Sequence, residues 1–301
     1  MEAIVYEEFG GPGVLRLADV DEPHPGPGQV RLKVQAAAVN PIDYKIRYGW
    51  LEQVFRTTLP ATPGMEAAGV VDEVGEGVSG IAVGDEVLGW TDTGAYAEYA
   101  LATVVAAKPS GLGWEEAAAL PVAAETAQRV LDTLSVAAGD TLLLHGAAGA
   151  VGSAGVQLAV ARGARVIGTA SPANHDYLRA LGAVPVSYGD GLVARVREVA
   201  PEGVDAVFDA VGRGALADSI VLRGGSTDRI VTIADPNAPE LGVAFSRGGV
   251  RDAASLAAHA ALAAEGILRV PVAARFPLAD AAKAMELSEA GHVRGKLVLL
   301  P

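Results

Sequence analysis

Apolar residues fall in two different rhythms along the chain. Up to about Pro109 they come in short blocks, such as Val30–Val39 and Ala67–Val74. Turn-forming clusters at Gly10-Gly-Pro-Gly13, Pro25-Gly-Pro-Gly28, Gly75-Glu-Gly-Val-Ser-Gly80 and Val83-Gly-Asp85 cut them apart. Blocks this short between such clusters predict strands. Their connections are too short for parallel crossovers, so antiparallel pairing is expected, in a barrel-like β domain.

From about Trp114 apolar blocks alternate with helical stretches. Strands are expected at Thr141–Leu144, Ala164–Thr169, Val184–Ser187, Val204–Asp209 and Arg229–Ala234. Helices are expected after Gly149, over Ala173–Leu181 and Val193–Val199, and after Gly214. Gly182 is a fitting helix stop. Strand, helix and strand repeated this often predict a doubly wound parallel sheet with right-handed crossovers and helices on both faces. After about Val270 the pattern is mixed again and ends in a strand, Lys296–Leu300. The class is therefore α/β, with one domain expected over 1–113 and 267–301 and a second over 114–266.

Composition narrows the picture. The 301 residues suit two domains, and 50% hydrophobic residues exclude a disordered chain. Lys+Arg 23 against Asp+Glu 36 gives −13, which argues against nucleic acid as a partner. With Cys 0 there are no disulfides, thiolate nucleophiles or cysteine-bound metals, as in a reducing, cytoplasmic setting. The opening MEAIVYEEFGGPG does not read as a signal peptide. Thr141–Ala161 carries no formal charge and has the length of a membrane span. Glycines at 146, 149, 152 and 155, with His145, Ser153 and Gln157, turn it into a buried strand, a tight turn and a helix instead. No membrane association is expected.

That turn, His145-Gly-Ala-Ala-Gly-Ala-Val-Gly152, is the sharpest local signal. A dinucleotide's diphosphate needs main-chain N–H donors at a helix start and no Cβ obstructing close approach. Gly149 and Gly152 stand where the second and third glycines of such a turn belong, and the first falls on Ala147. Residues Ala147, Ala148, Gly149, Ala150, Val151 and Gly152 are thus expected to hold the cofactor. About 20 positions further on, an acidic residue would bind the ribose of NAD. Here the second strand ends at Thr169, and Ser171, Asn174 and His175 follow with no carboxylate before Asp176. Those side chains can donate to a 2′-phosphate, which favours NADPH. Ser171 before Pro172 can also cap the next helix.

Several ordered motifs together resemble the medium-chain dehydrogenase/reductase superfamily, in its zinc-independent quinone oxidoreductase (ζ-crystallin-like) branch. They are Ala38-Val-Asn-Pro-Ile-Asp43 with Arg47 and Gly49, Pro63-Gly-Met-Glu-Ala-Ala-Gly69, Val83-Gly-Asp-Glu-Val87, Gly94-Ala-Tyr-Ala-Glu98, the Ala147–Gly152 turn, Val207-Phe-Asp-Ala-Val-Gly212 and Gly295-Lys296. The resemblance implies a GroES-like antiparallel β-barrel domain and a Rossmann domain, with the active site in the cleft between them. It further implies cofactor contacts from Asn40, Thr126, Tyr188, Val211, Gly212 and Lys296.

Zinc-dependent members of that superfamily carry cysteine at the position of Asn40 and histidine at that of Met65, before a glutamate matching Glu66. Asn40 and Met65 are poor zinc donors, so no metal is expected. The five histidines (24, 145, 175, 259 and 292) show no metal-binding spacing. Without a metal, hydride transfer to a quinone or an α,β-unsaturated carbonyl is the natural reaction, since charge there delocalises onto an oxygen that hydrogen-bond donors can serve. The resemblance implies that Asn40, with Asp43 nearby, is catalytic by positioning nicotinamide and ribose, and Tyr44 and Lys45 are candidate donors to the substrate oxygen. Relatives with a tyrosine donor have it where Leu51 stands here. Trp50 and Trp90 are candidate walls for a planar substrate. A biosynthetic enoyl or enone reductase, or an NADPH-binding protein without turnover, are the alternatives. The resemblance also implies a homodimer joined at an edge strand, expected here at Glu240–Ser246, and the stretch 241–250 is expected to contribute to substrate choice.

Overall fold

The computed structural model describes residues 1–301 and divides into two compact units, Met1–Val122 with Arg251–Pro301, and Ala123–Val250. The helices Trp114–Ala118 and Ala253–Ala264 thus fall in the first unit rather than the second. Their packing explains it: Trp114–Ala118 lies against the strands Val30–Val39 and Glu66–Val74, and Ala253–Ala264 against Val104–Ala107.

The first unit is built on a seven-stranded sheet. Its path runs Val272–Pro277, Lys296–Leu300, Val30–Val39, Glu66–Val74, Glu86–Trp90 and Val104–Ala107, with Tyr99–Ala102 also paired to Val30–Val39. A separate antiparallel pair joins Glu2–Val5 to Arg16–Asp19. Pairing is antiparallel except at the end of the chain, where Val272–Pro277 and Lys296–Leu300 run parallel. The helix Ala281–Ala290 lies between those two strands, giving the longer connection that a parallel pair needs. That departs from the wholly antiparallel expectation. The ten-residue strand Val30–Val39 is buried along most of its length, Val30 and Leu32 packing with Val71, Val87 and Val105. Its residues Val34, Ala37 and Val39 pack with Tyr96, Met285, Leu297 and Leu299 into one core.

The second unit is a six-stranded, wholly parallel sheet. Its order is Val184–Ser187, Arg165–Ala170, Thr141–His145, Ala206–Asp209, Ile230–Thr232 and Ala244–Phe245, that is 3-2-1-4-5-6 in chain order. The central strand Thr141–His145 is buried from Leu142 to His145, as an unbroken apolar run between helical layers should be. In such sheets ligands bind where the strand order reverses, beyond the carboxyl ends of the first and fourth strands. Two expectations change in detail. The helix expected over Ala173–Leu181 is a 3₁₀ turn, Pro172–Asn174, followed by a helix, His175–Ala180. Of the edge expected over Glu240–Ser246, only Ala244–Phe245 is strand, because residues 237–242 are tied into successive turns. No helix is long and apolar enough to cross a membrane.

Candidate active site

In the first unit Asn40 ends the strand Val30–Val39 and caps the helix Pro41–Arg47. Its N–H donates to Asp43 Oδ2 at 2.8 Å, part of a capping box that satisfies N–H groups left open at a helix start. The same Asp43 oxygen accepts the Tyr96 hydroxyl at 2.8 Å, whereas Oδ1 is buried without a partner. Burial is the dominant influence on this carboxyl and pushes its pKa up to about 7, against the hydrogen bonds from Asn40 and Tyr96 and the Lys296 charge.

The Asn40 side chain is held from both ends. Its Nδ2 donates to Glu66 Oε1 at 2.8 Å, and the Lys296 ammonium donates to both Asn40 Oδ1 and Glu66 Oε1. The Val122 N–H donates to Glu66 Oε2 at 2.7 Å. Glu66 and Lys296 are 0% and 3% exposed, so this is a fully buried ion pair. Such a pair endures only when both charges are also hydrogen-bonded, as they are here. Lys296 was expected to reach a cofactor; two of its three donors instead turn inward.

Around the helix Pro41–Arg47 the candidates separate. Lys45 is half-buried, and burial pushes its ammonium below the ordinary lysine range. Tyr44 meets Trp50 edge-on with ring centroids 6.3 Å apart, and Trp50 stacks on Tyr48 at 4.6 Å. Trp50 is 65% exposed and offers an open aromatic face. Trp90, 4% exposed, does not: it is a core residue rather than a wall. Arg47 is wholly buried. It donates to Gly10 O at 3.0 Å and to Glu289 Oε1 at 2.5 Å, anchoring its helix to Ala281–Ala290.

In the second unit the strand Thr141–His145 turns sharply into the helix Ala150–Ala161. The left-handed residue of that turn is Gly146, at φ +73, one position before the expected first glycine. Ala147 can therefore keep its methyl group, which is buried against Gly168. Gly152 has no such freedom: a Cβ there would lie 2.1 Å from the Gly146 carbonyl oxygen. No side chain caps the helix at Gly149, so the first-turn N–H groups of Ala150, Val151 and Gly152 are left for an anion, with Ala147 and Ala148 forming the approach.

The turn rests on a buried histidine. His145 Nδ1 lies 3.2 Å from Thr169 Oγ1, and Nε2 lies 3.0 Å from Ser219 Oγ. Burial lowers the His145 pKa and favours the neutral ring. Ser219 donates its hydroxyl to Ala215 O at 2.7 Å, so it accepts from Nε2–H, and Nδ1 accepts from Thr169. The Gly146 N–H donates to Thr169 Oγ1 at 3.4 Å. Thr169, expected to touch the cofactor, is 2% exposed and braces the turn from within. Val211 and Gly212 have their main-chain donors committed locally. Their N–H groups donate to Asp209 Oδ1 at 3.0 and 3.1 Å and are spent there, while Asp209 Oδ2 accepts the Thr232 hydroxyl at 2.7 Å.

The remaining candidates cluster at the ends of neighbouring strands. Asn174 Nδ2 donates to Ser171 Oγ at 3.2 Å, and His175 Nε2 lies 3.4 Å from Ser187 Oγ. Ser171 makes no side-chain cap, contrary to one reading of the sequence. Tyr188 is half exposed. Thr126 lies on the helix Pro121–Thr133, its Oγ1 3.5 Å from Arg129 Nη2, and Arg129 pairs with Glu125 at 2.7 Å. Gly146, Asp209, Glu66 and Tyr96 are the functional positions that the sequence did not single out as site residues. Gly146 had a signal, a glycine directly after the strand-final histidine.

These donors do not fit zinc. No three His, Cys, Asp or Glu side chains stand close enough together to hold a metal ion. Both Asn40 side-chain atoms are engaged, and the neighbouring Lys296 ammonium already neutralises Glu66. A second cation there would meet a like charge, and zinc needs about three strong protein donors.

Residues 26–110 match the alcohol dehydrogenase GroES-like domain, and residues 181–299 match the zinc-binding dehydrogenase family, whose zinc this donor set does not suit. The chain is 33% identical to the quinone oxidoreductase of Lama guanicoe, over 100% of its own length and 97% of that protein. It is 33% identical to the chloroplastic NADPH-dependent alkenal/one oxidoreductase of Arabidopsis thaliana, over 100% and 80%. The solved quinone oxidoreductase of Coxiella burnetii superposes with a TM-score of 0.90 at 35% identity, covering 100% of this chain and 99% of that one. Likeness of this extent, carried through both units, places the chain in the medium-chain dehydrogenase/reductase superfamily, in its quinone oxidoreductase (ζ-crystallin-like) branch.

Proposed function

We propose that the chain is an NADPH-dependent reductase of quinones or α,β-unsaturated carbonyl compounds that works without a metal. The observation that carries this reading is the turn Gly146–Gly152, open to a diphosphate, followed at the next strand's end by Ser171, Asn174 and His175 instead of a carboxylate. The names of the similar proteins support both the cofactor and the acceptor class.

When bound, NADPH supplies a hydride from its nicotinamide ring. The N–H groups of Ala150, Val151 and Gly152 hold the diphosphate, while Ser171, Asn174 and His175 donate to the 2′-phosphate. Tyr188 covers the adenine, and Thr126 with the Val211 side chain contacts the nicotinamide end. Asn40, kept in one orientation by Glu66 and Lys296, positions the nicotinamide and ribose. Tyr44 and Lys45 donate to the substrate oxygen, and the exposed face of Trp50 takes a planar acceptor. Asp43, with a pKa of about 7, takes up or releases a proton near neutrality. A quinone or enone needs no stronger assistance, because its developing charge spreads to an oxygen that such donors can reach.

We place the protein in the cytoplasm, on its lack of cysteine, and as a homodimer joined at the exposed edge of Ala244–Phe245. Incubating the protein with NADPH and a panel of quinones and enones, with and without a chelator, tests the reading. Cofactor oxidation by at least one acceptor, unaffected by the chelator, is expected. Binding without turnover by any acceptor favours a binding protein, and a monomer in light scattering removes the dimer.

A further inference from the structure

Beyond the third strand of the parallel sheet, the loop Ser187-Tyr-Gly-Asp-Gly191 folds around one guanidinium. Arg195 donates from Nε to Ser187 O at 3.0 Å, from Nη1 to Asp190 O at 2.7 Å, and from Nη2 to Tyr188 O at 3.3 Å and Gly189 O at 2.9 Å. Four successive carbonyls converge because Gly189 and Gly191 adopt φ of +88 and +79, conformations that L side chains rarely take. Arginine at a protein surface more often meets a carboxylate, which cancels its charge. Here all four acceptors are neutral, so the cation is fixed in place and keeps its full charge within a chain of net charge −13.

The position of that charge matters. Strands Arg165–Ala170 and Val184–Ser187 are parallel neighbours in which Ser187 pairs with Ala170, one residue before Ser171. His175 Nε2 lies 3.4 Å from the hydroxyl of Ser187, the residue whose carbonyl Arg195 holds. The first carboxylate past the second strand, Asp176, is paired with Arg179 at 2.6 Å. His175 is therefore linked through Ser187 to an uncancelled cation, on the strand next to the one that leads into Ser171 and Asn174.

We propose that Arg195 is a specificity-determining residue for the cofactor: its carbonyl-held charge favours a dinucleotide with a phosphate on the adenosine ribose, and its grip on 187–190 positions Tyr188. The inference rests on the NADPH reading above and adds the cation that the 171–175 segment lacks. Arg195 acts at a distance on the phosphate and through the loop on the adenine, so it is a positioning residue rather than a catalytic one.

The test uses the full-length protein with Arg195→Met and Arg195→Lys, and titrates NADPH and NADH in parallel at low and high salt. Thermal melts alongside show that each variant is folded. For Arg195→Met, NADPH affinity is expected to fall roughly tenfold while NADH affinity changes much less, an effect sized for one partly screened charge. Arg195→Lys should recover most of the NADPH preference, and salt should erode that preference in the parent more than in Arg195→Met. Equal weakening of both cofactors would overturn the proposal by reducing Arg195 to a loop clamp, and so would unchanged affinities. A parent protein that binds neither cofactor overturns the NADPH reading itself and this inference with it.

Discussion

The two units prepare their functional groups by opposite physical means. In the β-rich unit the preparation is done by side chains: Lys296, Glu66, Asn40, Asp43 and Tyr96 hold one another in a buried chain of charge and hydrogen bonds. In the parallel unit it is done by main chain: a glycine turn leaves amides open, and buried His145, Thr169 and Asp209 serve to shape backbone. The first arrangement is vulnerable to removing a charge, the second to adding volume.

The largest effect is expected where that contrast is sharpest. Lys296→Met leaves Glu66 buried without its cation and should cost about 3–5 kcal/mol in urea denaturation. Adding Glu66→Gln should recover much of the loss, because the stranded charge goes with it. A single variant as stable as the parent would show that the pair is not sealed from water. Gly152→Ala places a methyl against the Gly146 carbonyl and should destabilise by about 1–3 kcal/mol. It should also weaken NADPH binding at least tenfold, and unchanged titrations would place the diphosphate elsewhere. Lys296→Met is expected to spare that binding more than Gly152→Ala does.

The smallest effect concerns pH. Folding raises the Asp43 pKa to about 7, so between about pH 4 and pH 7 the folded state holds a proton that the unfolded chain, titrating near 3.9, has lost. Its stabilising contribution is complete below about pH 4 and fades as pH rises through 7. Asp43→Asn removes that dependence, so the fall in melting temperature between pH 5 and pH 8 should shrink by a few degrees. An identical fall in parent and variant would mean that Asp43 stays ionised throughout.

What could be read in the amino-acid order follows from how local each cause is. The nucleotide turn was legible because its requirements, a buried strand, small residues and a helix start, sit within a dozen positions. Strands such as Val184–Ser187 and Lys296–Leu300 showed themselves as apolar runs between polar or turn residues. The helix Pro41–Arg47 was hidden by the strand that runs straight into it, although Asn40, Pro41 and Asp43 are the residues a helix start favours. Trp90 could not be told from an exposed wall, since its burial comes from tertiary packing rather than from its neighbours in sequence. Least legible was the partnership of Lys296 with Glu66 and Asn40, 230 and 256 positions away, because no periodicity encodes pairing at that range.

That separation has a consequence for how the protein is made. Ala123–Val250 is one uninterrupted stretch and can close its sheet while synthesis continues, whereas the other unit is split around it. Glu66 is translated early, yet the ammonium that neutralises it arrives only with the final strand, Lys296–Leu300. The growing polypeptide therefore carries an unmatched acid group in its half-assembled β layer until Lys296 emerges, and only that residue closes the circuit.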